Sequence, residues 1–257
     1  MNLYCERYPN QAADNILFIH GNLASTAWWQ PMLGEWRKLG STGPASLIFA
    51  DWRGCGQNPE WPPAEVFSIA NLAEDFIHLL ERERIKKINL VGHSLGGLIA
   101  LQMMILRPDL VSKAMLLDPV GAGGVVFDDS MYEAFRQMAQ SRDLTRTVIL
   151  STVLRHDHIA ESFKDQIAED AYKAVRGIGS SVLEILKTVD LRAPAKTVKI
   201  PTLIVHGRED AIIPLKDSEE LAKLMPAAQL EVLEGVGHCW NLENPSAFCQ
   251  RVRKWFS

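Results

Sequence analysis

The stretch Lys87-Ile88-Asn89-Leu90-Val91-Gly92-His93-Ser94-Leu95-Gly96-Gly97 decides how the rest of the chain is interpreted. Its apolar run 88–91 predicts a buried strand, and the apolar run 98–106 that follows predicts a helix. The five residues between strand and helix match the pattern G-x-S-x-G, although an ordinary turn is the alternative interpretation. In this pattern the serine occupies a sharp, strained turn, and glycines two residues away on either side avoid collisions with the facing backbone. We therefore expect Ser94 Oγ at the carboxyl end of the strand, near helix N–H groups that favour a developing anion.

Length and composition bound the class of protein. The chain has 257 residues, of which 47% are hydrophobic, and its formal net charge is −4. This length suits one large α/β core, or a core with a small inserted domain. The absence of a basic run argues against nucleic acid as a partner. Apolar runs that are short and broken by charges, together with an amino terminus unlike a signal peptide, predict no membrane association and a cytoplasmic location.

Apolar runs alternate with helical patterns along most of the chain. Besides the run before Ser94, strands are predicted at 3–7, 15–19, 47–50, 113–118, 202–206 and 230–233. Apolar spacing after Trp28 predicts a helix that reaches Leu39. The alternation stops between the strands predicted at 113–118 and 202–206, where amphipathic stretches at 130–139, 144–154, 161–175 and 181–189 predict a helical insertion. The pattern predicts a mainly parallel sheet that binds ligands at the carboxyl ends of its strands.

A serine hydroxyl becomes a useful nucleophile only beside a base, and that base needs an acid to orient it. His238 follows the last predicted strand, and Asp210 follows the strand before it. Each of the three residues stands on a loop after a separate strand, so a parallel sheet brings them to one edge. We predict a triad in which Ser94 is the nucleophile, His238 the base and Asp210 the acid.

Other polar residues compete for a role in this site. Asp118 also ends a predicted strand, but Pro119 after it favours a cap on the turn into the insertion. Glu209 is adjacent to Asp210 and is expected to point the other way. The run His156-Asp157-His158 resembles a metal cluster, but it lacks a third ligand at metal spacing, so a solvated loop is expected. We therefore predict no metal and no organic cofactor.

Five motifs occur in a fixed order. They are His20-Gly21, the D-x-R-G-x-G run 51–56, G-x-S-x-G, the G-x-x-D-x-x-x-P run 207–214, and the G-x-G-H run 235–238. Together they resemble an α/β-hydrolase fold protein over nearly the whole chain. The resemblance implies a mostly parallel eight-stranded sheet with helices on both faces, formed by 1–120 and 199–257, and a helical cap, 121–198, inserted after strand 6. One departure is Asn58, where relatives often carry Ser, and we expect it to have little consequence.

The resemblance and the residues also predict the groups around the triad. Two N–H donors must meet the oxyanion of a tetrahedral intermediate. Leu95 N–H, at the helix start, is the first, and the family pattern points to Asn22 N–H for the second. Four residues are expected to contact the substrate, with core packing as the alternative for the tryptophans: Trp28, Trp240, Phe127 and Met131.

The main functional hypothesis is a serine hydrolase that cleaves carboxylic esters, or lactones, of a small and largely hydrophobic molecule through an acyl-enzyme on Ser94. A triad-bearing lyase of the menaquinone-pathway type and a C–C bond hydrolase are alternatives. The lyase needs basic residues facing the pocket, and five arginines are available: Arg53, Arg142, Arg146, Arg155 and Arg176. A ligand-sensing member of the fold without turnover is the third alternative. Nothing in the sequence predicts the oligomeric state.

Overall fold

A computed structural model describes residues 2–9, 14–38, 45–58 and 67–257, which form an α/β fold around one sheet. In these residues the sheet has seven strands: β1 (Cys5–Tyr8), β2 (Asn15–Ile19), β3 (Ser46–Ala50), β4 (Ile88–His93), β5 (Val111–Leu117), β6 (Thr202–Gly207) and β7 (Ala228–Leu233). Their order is β1-β3-β2-β4-β5-β6-β7, with β1 antiparallel to β3 and every other neighbouring pair parallel. The predicted class, a mostly parallel α/β sheet, is confirmed.

The predicted count of eight strands is wrong for the described part of the chain. One strand, β1, precedes β2 there, and it pairs with β3 at the edge of the sheet. The helical insertion accordingly follows the fifth strand, β5, instead of a sixth. The apolar runs of the sequence themselves predict seven strands, so the eighth came from the resemblance alone.

Helices cover both faces of the sheet, which is why nearly continuous apolar runs form its central strands. In β2, Ile16 and Phe18 enter one core while Leu17 and Ile19 enter the other, as the alternation of a strand requires. Six helices flank the sheet: α1 (Gln30–Lys38), α2 (Ile69–Arg82), α3 (Leu95–Leu106), α8 (Leu215–Leu224), the short α9 (Trp240–Glu243) and α10 (Pro245–Phe256). Leu39, to which the first helix was expected to extend, lies outside the described residues.

Four helices lie between β5 and β6. They are α4 (Asp129–Met138), α5 (Arg142–Ser151), α6 (Glu161–Thr188) and the short α7 (Arg192–Ala195). The two helices expected at 161–175 and 181–189 are instead one continuous helix, α6. Gly179 of this helix lies where α4 approaches, and a Cβ there would be 3.1 Å from the Phe135 ring. Tertiary packing at this point outweighs the cost of about 1 kcal/mol that a glycine brings to a helix.

None of the helices within the described ranges combines the length and the apolar character that crossing a bilayer requires.

Candidate active site

Ser94 lies at the turn between β4 and α3 with a strained backbone. Its φ of 54° and ψ of −120° are unusual for a residue with a side chain. A Cβ on Gly92 would lie 2.5 Å from the Gly96 carbonyl oxygen, and a Cβ on Gly96 would collide with the Ile19 carbonyl. The turn is held in place because Ser94 N–H donates to the Leu117 carbonyl at 2.9 Å. The two glycines of the motif are therefore required by close backbone approach, as predicted from the sequence.

His238 and Asp210 meet on the loops after β7 and β6. His238 Nδ1 lies 2.7 Å from Asp210 Oδ2, and the other oxygen of Asp210 accepts N–H bonds from Ile212 and Ile213 at 2.7 and 3.0 Å. Burial opposes ionisation of this carboxyl, but its hydrogen bond and charge interaction with His238 and the two backbone donors outweigh burial and lower the pKa of Asp210. Asp210 is therefore an ionised acceptor that fixes the tautomer of His238.

Ser94 and His238 line the same cavity, although the structure shows no hydrogen bond between them within its described residues. Such bonds are often long in a free enzyme and form in the substrate complex. The structure thus brings all three predicted triad residues to one edge of the sheet.

His93, next to Ser94, holds the backbone of His238. Its Nε2 donates to the His238 carbonyl at 2.9 Å, and its ring lies 4.8 Å from the His238 ring. Burial, followed by the charge of His238, lowers the pKa of His93 to about 3. His93 is therefore neutral and acts as a fixed hydrogen-bond donor at physiological pH.

Asp118, the competing acid, contacts a different partner. Its Oδ1 accepts Gly207 N–H at 2.8 Å, so it joins the ends of β5 and β6 instead of capping the turn into the insertion. Its Oδ2 is buried without a hydrogen-bond partner among the described residues. Burial, and then the charge of Asp210, raise the pKa of Asp118 well above its usual range. Glu209 Oε2 accepts Val236 N–H at 3.0 Å.

The loop after β2 reaches the turn that carries Ser94. A Cβ on Gly21 would lie 3.1 Å from Ser94 Cβ, and Asn22 and Leu95 line the same cavity as Ser94. Asp51 anchors this loop, since its carboxylate accepts Thr26 N–H at 2.6 Å. The two predicted oxyanion donors are therefore adjacent to the serine.

The cavity has a volume of about 300 Å³ and a mostly apolar lining. Trp28, Phe127 and Met131 line it, as expected from the sequence. Trp240 does not contribute to the lining, because it packs edge-on against Phe248 with ring centroids 5.6 Å apart. The sequence did not indicate the lining residues on α5 and directly after it, on α6 and after Asp210: Val148, Ile149, Thr152, Leu183, Leu186, Ala211, Ile212 and Ile213.

Two groups of potential metal ligands occur among the described residues, and both overlap the predicted triad: His93, Asp118 and His238, and Asp118, His206 and Asp210. In the second group, hydrogen bonds within the protein already engage both ring nitrogens of the histidine. His206 Nδ1 lies 2.8 Å from Ser218 Oγ, and its Nε2 lies 3.2 Å from the Ile213 carbonyl. His158, from the cluster in the insertion, binds the Leu242 carbonyl through Nε2 at 2.9 Å.

The model of the alpha/beta hydrolase fold family matches residues 14–245, and the chain belongs to this family. RutD of Pseudomonas savastanoi pv. phaseolicola, named as a candidate carbamate hydrolase, is 26% identical over 79% of this chain and 80% of its own length. The 2-hydroxymuconate semialdehyde hydrolase of Pseudomonas putida is 29% identical over 94% of this chain and 86% of its own. An esterase structure from Exiguobacterium antarcticum shares the fold, with a TM-score of 0.82 at 19% identity over 99% and 95% of the two chains. These relatives place the chain among the hydrolases of this fold.

Proposed function

We propose that the protein is a serine hydrolase that cleaves carboxylic esters, or lactones, of a small and largely hydrophobic substrate. The observation that carries the proposal is that a strained serine and a carboxylate-bound histidine open into the same apolar cavity. Such an arrangement of nucleophile, base and orienting acid is typical of acyl transfer through a covalent intermediate.

In the proposed mechanism Ser94 Oγ attacks the carbonyl carbon while His238 Nε2 removes the hydroxyl proton. Asp210 stabilises the imidazolium through the Nδ1 hydrogen bond. The N–H groups of Leu95 and Asn22 bind the oxyanion, and losing one such donor typically costs about 3 to 4 kcal/mol of barrier. His238 then protonates the leaving oxygen and later activates the water that hydrolyses the acyl-enzyme.

The cavity supports an uncharged substrate. No lysine or arginine among the described residues lines it, so nothing there would pair with a carboxylate on the substrate. Each methylene that enters such a lining contributes about 0.8 kcal/mol. We propose that 121–198 acts as a cap on the core formed by 1–120 and 199–257, because residues of α4, α5 and α6 supply much of this wall.

The lyase alternative requires cations in the pocket that pair with the carboxylates of its substrate, and the C–C hydrolase requires them when its substrate carries carboxylates. The candidate arginines have other neighbours: Arg53 pairs with Asp75, Arg142 with Glu169, Arg146 with Glu161 and Asp165, Arg176 lies over the Tyr172 ring, and Arg155 lies next to Gly235. These positions favour the esterase proposal over both alternatives.

The test is turnover of p-nitrophenyl acetate, butyrate, hexanoate and octanoate at a pH of about 8. Ser94→Ala should reduce kcat at least about 10³-fold. Ser180→Ala, the same change at an exposed position of α6, is the matched control and should keep wild-type turnover.

Two results would overturn the proposal. Turnover that persists in Ser94→Ala would exclude an acyl-enzyme on Ser94. A folded wild type that hydrolyses no ester but binds a dicarboxylate in calorimetry would favour the lyase, and binding of a neutral ester without turnover would favour the ligand sensor.

A further inference from the structure

Three backbone N–H groups converge on the carboxylate of Glu243, the last residue of α9. Glu243 Oε2 accepts Gly237 N–H at 2.9 Å, while Oε1 accepts Cys239 N–H at 3.2 Å and Leu154 N–H at 3.1 Å. Gly237 and Cys239 flank His238 on either side. Leu154 belongs to the segment that follows α5. One carboxylate therefore contacts both neighbours of His238 and the helical insertion at once.

These bonds leave the backbone of His238 little freedom. Bonds from backbone N–H groups to an ionised carboxylate are stronger than bonds between neutral groups. The His238 carbonyl is engaged as well, because it accepts His93 Nε2–H at 2.9 Å. The Gly237 N–H is thus bonded, as are the N–H and the carbonyl of the peptide that joins His238 to Cys239, and the side chain of His238 is aimed at Asp210.

Gly237 shows that this arrangement is built into the sequence. A Cβ at position 237 would lie 2.7 Å from Leu154 Cβ and 2.8 Å from Glu243 Oε1. Gly237 is not among the glycines with positive φ, so its backbone conformation does not demand glycine. The close approach of Leu154 and Glu243 does.

A second bond joins the same two segments. His158 Nε2 donates to the Leu242 carbonyl at 2.9 Å, one residue before Glu243. The chain from Leu154 to His158 is therefore attached to α9 at two points. Because Val148, Ile149 and Thr152 line the cavity, this attachment links one cavity wall to the loop of the proposed base.

We propose that Glu243 is a positioning residue. Its three backbone hydrogen bonds, together called the clamp, fasten the His238 loop to the helical insertion and so keep His238 within hydrogen-bond distance of Asp210. The proposal rests on the proposed function, since it assigns a role within that same site. Glu243 does not line the cavity, so its removal should slow chemistry with little effect on substrate binding.

The experiment compares Glu243→Gln with Glu231→Gln. Glu231 lies on β7 and bonds Arg251 at 2.8 Å, away from the His238 loop, so its change is the matched control. We expect kcat on the preferred p-nitrophenyl ester to fall about 10- to 100-fold in Glu243→Gln, with KM within about threefold of wild type. The control should keep the wild-type kcat.

A second readout does not depend on turnover. In the imidazolium form, the His238 Nδ1 proton shared with Asp210 gives a resonance far downfield in the proton NMR spectrum. Glu243→Gln should move this resonance upfield or broaden it, while Glu231→Gln leaves it in place. Ser94→Ala, measured in parallel, tests the proposed function separately, since it abolishes turnover without touching the clamp.

Gly237→Ala keeps the test decisive if Glu243→Gln fails to fold. The added methyl group separates Leu154 from Glu243 without removing the carboxylate, so the same loss of kcat and the same spectral change are expected. Wild-type kcat in folded Glu243→Gln or Gly237→Ala would overturn the proposal. So would a loss of kcat with an unchanged downfield resonance, because the effect would then not pass through the His238–Asp210 pair.

Discussion

Asp210 and Asp118 follow neighbouring strands of the sheet, yet they meet different partners. Asp210 holds His238 Nδ1 at 2.7 Å and receives two backbone N–H bonds, and its pKa is lowered. Asp118 receives Gly207 N–H on one oxygen, and burial raises its pKa. A position just after a strand therefore does not by itself make an aspartate the acid of the proposed triad. The donors that meet a carboxylate, and its link to the cavity through His238, decide what it does.

The largest test of this comparison exchanges each acid for its amide. Asp210→Asn should lower kcat by about 10³- to 10⁴-fold, because the amide can neither fix the correct tautomer of His238 nor stabilise its imidazolium. Asp118→Asn should lower kcat by no more than about tenfold, since the amide oxygen can still accept Gly207 N–H. Steady-state kinetics on the preferred p-nitrophenyl ester measures both. A greater loss in Asp118→Asn would reverse the assignment of the two acids.

Trp28 and Trp240 form a second matched pair, of which one residue faces the cavity and the other the core. Truncating Trp240 to Ala should lower the free energy of unfolding by about 3 to 5 kcal/mol and leave KM unchanged. Truncating Trp28 to Ala should also destabilise the fold, but it enlarges the cavity and should change KM. Urea unfolding and ester kinetics on both variants provide the measurement. A changed KM in Trp240→Ala alone would contradict the placement of these side chains.

The fold and the proposed triad could be predicted from the sequence because both depend on local constraints. Neighbouring backbone lies so close to Gly92 and Gly96 that almost no other residue fits there, so the five-residue pattern G-x-S-x-G is enough to predict the turn at Ser94. Ser94, Asp210 and His238 each follow a separate strand, and they come together because parallel strands end at one edge of the sheet.

The rest of the site could not be predicted, because it depends on how separate helices meet. Val148 on α5 and Leu186 on α6 line the cavity, but amphipathic spacing does not say which apolar residues face a void and which face a neighbour. Trp240 begins a helix of four residues, which is too short to show a readable apolar face. Its packing in the core could therefore not be predicted. The clamp by Glu243 also joins residues far apart in sequence.

A smaller effect separates the two acids through the pH dependence of stability. The unfolded chain loses the Asp118 proton near the ordinary pKa, whereas the folded protein keeps it to higher pH because burial, and then the charge of Asp210, raise this pKa. Between those two pKa values the unfolded state binds fewer protons, so the free energy of unfolding falls as pH rises. Asp118→Asn has no carboxyl proton to lose and therefore does not show this pH dependence of the free energy of unfolding.

The expected result is that Asp118→Asn gains stability relative to wild type as the pH is raised from about 4 to 8. Urea unfolding at a series of pH values measures the difference between the two proteins. Glu231→Gln, the control variant, should not share this trend, so a common trend in both variants would contradict the assignment.

The smallest expected effect concerns two leucines of the helical insertion. Leu186 of α6 lines the cavity, whereas Leu144 of α5 packs against the core without lining it. Leu186→Ala should shift the preferred acyl chain towards greater length, because the vacated space accepts extra methylenes worth about 0.8 kcal/mol each, or roughly fourfold in kcat/KM. Leu144→Ala removes the same three carbons and should leave the preference unchanged. The ratio of kcat/KM for hexanoate and butyrate esters measures the shift, and an equal ratio in both variants would mean that the acyl chain does not occupy this cavity.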